Sequence, residues 1–279
     1  MDPMSLDSLI SIDAQLSDDE RAARDTVRSW VSDRFSPVVT EHHRQGTFPE
    51  ELIPEIADLG LFGANLPEEY GCAGMNAVSY GLIMQELERG DSGLRSLASV
   101  QGSLVMWPIF AFGSEDQKKK YLPQLAGGKM IGCFGLTEPG SGSDPGSMTT
   151  TAVRDGDHYV LNGVKTWITN SPISQLAVVW AKCTDENDAI RGFIVEREFK
   201  GYETPYIDGK FSLRASPTGE IHLNDCRVPA SNMMPEVKGL KGPLSCLTQA
   251  RHGIGWGVTG AAMDCFEVVR AYGLERKQF

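Results

Sequence analysis

Gly135-Leu136-Thr137-Glu138-Pro139-Gly140-Ser141-Gly142-Ser143-Asp144-Pro145-Gly146-Ser147 follows an apolar run from Met130 and packs glycines, hydroxyls and two acids into one turn. Glycine admits positive φ and has no Cβ. Backbone of this composition can therefore approach a large ligand, and its amides and Ser/Thr hydroxyls can donate to carbonyls, ring nitrogens or phosphates. By composition alone the run also reads as an ordinary Gly/Ser/Pro surface loop. It divides the chain, because the hydrophobic period before it is helical and the period after it is two.

Upstream, Ser17-Asp18-Asp19-Glu20 is a capping box ahead of Val27, Trp30, Val31 and Phe35 at helical spacing. Leu52, Ile56 and Leu59 repeat the pattern before Gly60, with Pro54 expected to break or kink that turn. Asn76 is positioned to cap a helix carrying Tyr80, Ile83, Met84 and Leu87 to Gly90. Leu97 to Phe112 predicts another, and Ser114-Glu115-Asp116-Gln117 opens a further one. An all-α domain over 13–128 results.

Downstream, Thr150–Arg154 and His158–Leu161 flank an Asp155-Gly156 turn, and Asn162-Gly163 offers a second hairpin turn before Val164–Ile168. Leu176–Ala181, Gly192–Val195, Phe211–Arg214 and Glu220–Leu223 continue the strand-like runs. The spacing predicts a small sandwich or barrel over 130–235. From Leu244 no proline intervenes, and Leu247, Ile254, Val258, Ala262, Phe266, Val269 and Tyr272 form a helical stripe. A helix of about 35 residues spans roughly 50 Å, far above the usual length, and its glycines argue against an unbroken one. Such a stripe needs partner helices or stays partly exposed.

The chain has 279 residues, 41% of them hydrophobic, and a net charge of −11. Only Lys118-Lys119-Lys120 is a tight basic cluster, read as the solvated end of a helix, so nucleic acid is not an expected partner. No apolar run approaches the ~20 residues of a membrane span. Met1-Asp2-Pro3-Met4-Ser5-Leu6-Asp7 is acidic and without arginine, unlike a signal or transit peptide. A bacterial cytoplasmic setting is expected, with the mitochondrial matrix only if a presequence was removed. Cys72, Cys133, Cys183, Cys226, Cys246 and Cys265 form no C-x-x-C pair and read as reduced, mostly buried thiols. No histidine has metal-ligand spacing, so no metal site is expected. Gly255-Trp256-Gly257-Val258-Thr259-Gly260 matches G-x-G-x-x-G but lies in the helical stripe without a preceding strand, and reads as a chance match.

The Gly135–Ser147 run, Lys165-Thr166-Trp167-Ile168-Thr169-Asn170 and Leu274-Glu275-Arg276-Lys277-Gln278-Phe279 together resemble the signatures of the acyl-CoA dehydrogenases, and the resemblance extends from Asp13 to Phe279. Glu86-Leu87-Glu88-Arg89-Gly90-Asp91-Ser92-Gly93-Leu94-Arg95-Ser96 and Val100-Gln101-Gly102-Ser103-Leu104 look most like the glutaryl-CoA dehydrogenases of that family. The resemblance implies an α+β multidomain fold: an N-terminal all-α domain, a middle β-barrel domain, and over 244–279 the first helix of a C-terminal four-helix bundle. It implies FAD as cofactor, an acyl-CoA substrate, electron-transfer flavoprotein as partner and a homotetramer.

The same resemblance assigns roles. Phe134, Leu136 and Thr137 would line the isoalloxazine, Gly142 and Ser143 would lie near the pyrophosphate and pantetheine, and Trp167, Ile168 and Thr169 would flank and hold the ring. Alone, a Trp in a strand reads as core. Arg276 and Phe279 would reach a neighbouring subunit's FAD. Arg95, by itself a snorkelling surface group, matches the arginine that grips a substrate carboxylate, with Glu88, Ser96 and Ser99 around it. Leu244, Leu247, Thr248 and Arg251 match the CoA tunnel. Gly90 and Leu94 depart from bulkier residues in some relatives. The implied reaction removes an α-proton and a β-hydride from glutaryl-CoA and releases CO2 to leave crotonyl-CoA. The family's base, a glutamate, matches no acid here and is expected beyond Phe279, so no catalytic residue is assigned and a much reduced turnover is expected of this chain. The alternatives are a dehydrogenase for an uncharged short acyl chain and a non-catalytic flavin- or CoA-binding fragment.

Overall fold

The computed structural model describes residues 12–278. Helix α1 (Asp18–Trp30) opens on the expected box: the Glu20 amide donates to the Ser17 hydroxyl at 3.3 Å and the Ser17 amide to the Glu20 carboxylate at 2.8 Å. It continues through a wider π-type turn into α2 (Ser36–Gln45), which ends at Gly46 with φ 73°. Pro54 starts a helix instead of breaking one. It sits in the first turn of α3 (Ile53–Asp58), where a missing N–H forfeits no helical bond.

Asn76 caps α4 (Ala77–Gly90), its side chain accepting from the Ser79 amide at 2.8 Å. This helix is buried from Ser79 to Glu88, between α1 and the last helix. The helix expected over Leu97–Phe112 starts earlier, because the Asp91 carboxylate caps Gly93: α5 (Ser92–Ser99) runs through a π-type segment, Val100–Met106, into α6 (Trp107–Phe112). In α7 (Glu115–Ala126) the three lysines are not a helix end. They occupy its first half, and Lys118 and Lys120 pair with Glu115 and Glu196, each at 2.7 Å.

Seven strands make one curled mixed sheet: β1 (Gly132–Gly135), β2 (Thr151–Asp155), β3 (His158–Thr169), β4 (Leu176–Cys183), β5 (Ala189–Glu196), β6 (Tyr202–Glu203) and β7 (Thr218–Pro229), in the order β1-β4-β2-β3-β7-β6 with β5 on β4. β1 and β2 run parallel to β4, and the other pairs are antiparallel. The turn at Gly156 (φ 61°) sets Asp155 opposite His158.

Asn162-Gly163 is not a hairpin turn. β3 runs through it because β2 and β7 hold both its edges, and the pair forms a bulge where the β7 register shifts. The Asn162 side chain bonds Asp225, and a Cβ on Gly163 would meet Thr150 Oγ1 at 2.4 Å. Phe211–Arg214 is not a strand either. Lys210 Nζ donates to the Leu213 and Ser216 carbonyls and gathers the segment into a loop, leaving Phe211 99% exposed.

The last helix, α8 (Lys241–Glu275), is unbroken over 35 residues and takes Pro243 into its first turn. Three of its glycines are explained by contact with α4: a Cβ would lie 3.0 Å from Tyr80 Oη at Gly253, 2.1 Å from Glu88 Oε2 at Gly257 and 1.9 Å from the Gln85 carbonyl at Gly260. Two glycines of the apparent dinucleotide motif, Gly257 and Gly260, are thus helix-packing residues, whereas its first, Gly255, faces open space. Beyond it Val268, Val269, Tyr272 and Leu274 are exposed. All six cysteines are free; four are buried, Cys72 is half-buried and Cys265 is exposed. Among the described residues no helix is long and apolar enough to cross a membrane.

Candidate active site

The Gly/Ser run leaves β1 at Gly135 and folds back through a two-way backbone bridge between Glu138 and Ser141 (3.0 and 3.1 Å). None of its glycines takes positive φ, contrary to the expectation from their residue type. A Cβ on Gly140 or Gly142 would meet nothing within 4 Å, so open space next to the main chain is what their missing side chains provide.

Behind the loop lies a buried ion pair that is absent from the expected site residues. The Glu138 carboxylate accepts from Lys165 Nζ at 2.8 Å, from the Thr149 amide and hydroxyl, and from the Thr150 amide and hydroxyl. Burial works to raise this carboxyl, but Lys165, Thr150 and the Thr149 amide overcome it and hold it down at about 2. Burial pulls the Lys165 ammonium down against the attraction of Glu138. Nothing in the residue types or spacing around Glu138 and Lys165, which stand 27 residues apart, signals the pair in the sequence.

The second motif is bonded to the first, for the Thr166 amide donates to the Thr137 carbonyl at 3.0 Å. Trp167 follows in the left-handed region (φ 60°), at a register shift between Lys165 and Ile168, and is 62% exposed. This excludes the core reading of Trp167. A non-glycine residue held there costs on the order of 1–3 kcal/mol and persists where its surroundings over-determine it, commonly at a functional site.

Phe134, Leu136, Thr137, Gly142, Ser143, Trp167, Ile168 and Thr169 meet Leu244, Leu247 and Arg251 of α8 around one cleft of about 340 Å³. Val100 and Leu104, on the π-type segment, and Pro145 complete its lining, which contains no carboxylate. Trp167 and Thr169 also border a second cavity of about 380 Å³ with Ser96, Lys210, Phe211, Ser216 and Thr218. A larger groove of about 570 Å³ between α1, α4 and α8 shares only Arg251 with the cleft and gathers none of the loop residues.

Other expected residues fall elsewhere. Arg95 Nε donates to Glu88 at 2.6 Å and Ser92 to the same carboxylate at 2.8 Å, one helical run before Val100 but outside the cleft lining. Ser99 is buried on the same helix. Thr248 is exposed and bonds the Leu244 carbonyl within α8, and Arg276 is exposed past its end. Phe279 lies outside the described residues.

Residues 17–129 match the family model of the acyl-CoA dehydrogenase N-terminal domain, and residues 133–226 that of the middle domain. The short-chain specific acyl-CoA dehydrogenase of Clostridium acetobutylicum is 37% identical over 274 residues, covering 96% of this chain and 72% of that protein. The chain belongs to the acyl-CoA dehydrogenase family. Among solved structures, the glutaryl-CoA dehydrogenase of Mycobacterium smegmatis in complex with FADH2 superposes with a TM-score of 0.94 at 49% identity, covering 98% of this chain and 69% of that one. Butyryl-CoA dehydrogenase of Megasphaera elsdenii gives a TM-score of 0.89 at 33% identity, covering 95% and 71%. FAD is the cofactor of this acyl-CoA dehydrogenase family, and the cleft fits a flavin: open space faces Gly142, Trp167 presents an exposed indole, and among the described residues no hydrogen bond occupies the Thr137 hydroxyl.

Proposed function

We propose that this chain forms the flavin and acyl-CoA site of an oxidative decarboxylase of glutaryl-CoA, which yields crotonyl-CoA and CO2 and delivers electrons to an electron-transfer flavoprotein. Bound FAD would supply the acceptor for the β-hydride. Phe134, Leu136, Thr137, Ile168 and Thr169 hold its ring and Trp167 flanks it; Gly142 and Ser143 serve the pyrophosphate and pantetheine. Leu244, Leu247 and Arg251 line the CoA path. Arg276 and Phe279 face a neighbouring subunit in a tetramer. Since no carboxylate lines the cleft, the α-proton goes to a group from outside its described lining.

The observation that carries the substrate assignment is the largely buried pair between Glu88 of α4 and Arg95, which lies on the helical run that supplies Val100 and Leu104 to the cleft; the two side chains are 5% and 12% exposed. An incoming carboxylate can take up the Arg95 fork, whereas an uncharged chain offers the guanidinium nothing. Removing one partner of a buried charge costs several kcal/mol, enough to discriminate strongly between chains. Support also comes from the 49% identity to the mycobacterial glutaryl-CoA dehydrogenase. The second reading, an uncharged short chain, is favoured by Glu88, which already neutralises Arg95 at 2.6 Å.

Competition between glutaryl-CoA and butyryl-CoA for the FAD-loaded protein separates the two. Arg95→Leu is expected to weaken glutaryl-CoA about tenfold or more while sparing butyryl-CoA. Equal losses for both would make Arg95 purely structural, and a native preference for butyryl-CoA would establish the second reading.

A further inference from the structure

We infer that Glu138 and Lys165 are positioning residues for the flavin, a bridge that fixes the distance between the two motif segments forming the cofactor walls. The inference rests on the FAD reading above. Lysine and glutamate are almost never fully buried, and a buried ion pair is by itself weak evidence of a stability role, because a well-packed apolar pair often serves as well or better. This pair does something an apolar pair cannot. Lys165 Nζ donates to the Leu136 carbonyl (3.2 Å) as well as to Glu138, while Glu138 gathers the amides of Thr149 and Thr150. Three backbone segments distant in sequence are therefore tied to one point: the end of β1, the return of the Gly/Ser loop, and β3.

The geometry transmits to both walls. Leu136 is held by Lys165 and Thr137 by Thr166, and both line the cleft. Trp167, two residues after Lys165, interrupts the regular backbone of β3 at φ 60°, in the register shift before Ile168. That conformation requires anchoring on its N-terminal side, and the Lys165 and Thr166 bonds supply it. Without the bridge, Leu136-Thr137 and Trp167 lose their common reference while β1 and β3 keep their own ladder partners.

The test is FAD titration of the apoprotein, followed by fluorescence quenching and the fine structure of the flavin absorption band. Phe193→Leu serves as control, a core truncation in β5 that does not touch the cleft. Lys165→Met is expected to weaken FAD about tenfold or more and to blur the band, beyond any effect of the control at a matched melting temperature. Thr150→Val, which removes one bond to Glu138, is expected to give a smaller loss in the same direction and keeps the question open to measurement if Lys165→Met does not fold. FAD affinity and spectrum in Lys165→Met, or failing that Thr150→Val, equal to those of the control would overturn the inference. If the unsubstituted protein takes up no FAD, it is the flavin reading that fails.

Discussion

Glycine does opposite work in the two parts of this molecule that carry a Gly-rich signature. In α8, Gly257 and Gly260 lie so close to α4 that a Cβ would sit 2.1 and 1.9 Å from its atoms; in the loop after β1, Gly140 and Gly142 would meet nothing within 4 Å. The first pair is dictated by contacts inside the chain. The second meets no neighbour inside the chain, and Gly142 lines the cleft. A G-x-G spacing thus carries no meaning until the neighbours of the missing side chain are known: in the α8 match Gly257 and Gly260 answer to helix packing, whereas Gly255 does not.

The largest expected effect lies on the helical side. Gly260→Val must push α8 off the α4 backbone, and overpacking of this severity costs about 3 kcal/mol or more, roughly 10 °C in melting temperature. A melt within a degree of the parent would show that the two helices do not meet so closely.

Acid should separate the regions next, since the loop is anchored by charge and the helix pair by shape. The Glu138 carboxyl titrates at about 2 in the folded chain against 4.5 unperturbed. A lowered folded value contributes stability that is fully present above 4.5 and is lost as pH falls from there toward 2. Amide exchange in 136–150 should therefore accelerate over that window while the α4–α8 contact is retained. Equal acceleration in both regions would remove the distinction.

The smallest change in stability is expected for Gly142→Ala, below about 0.5 kcal/mol, because its Cβ enters empty space. FAD or acyl-CoA affinity should nevertheless fall severalfold. A variant with unchanged affinity for both would reduce this glycine to an ordinary loop residue.

Much of the fold is legible in the sequence because its signals are local. Both capping boxes, the Asn76 cap and the Gly156 turn form as the residues predict, since each is a bond among neighbours in sequence. Asn162-Gly163 departs from expectation for the opposite reason: an Asn-Gly pair forms a turn only if the strand is free to fold back, and pairing with β7 and β2 carries β3 on through a bulge. Pro54 departs from it because a proline in the first turn of a helix resembles one in its interior until the start is fixed. The cleft residues of both motifs are legible through resemblance. Glu138 and Lys165 are not, because a strand lysine gives no sign in sequence of what lies above it.

Periodicities, caps and family are all written in residue type and spacing along the chain. That Lys165 finds Glu138 across 27 residues, that Trp167 takes a left-handed backbone within β3, and that Gly253, Gly257 and Gly260 face α4 emerges only once the chain is folded. The physical reason is common to the three: each is set by which atoms of a distant segment come within a few ångströms, a quantity that no local pattern of side chains encodes.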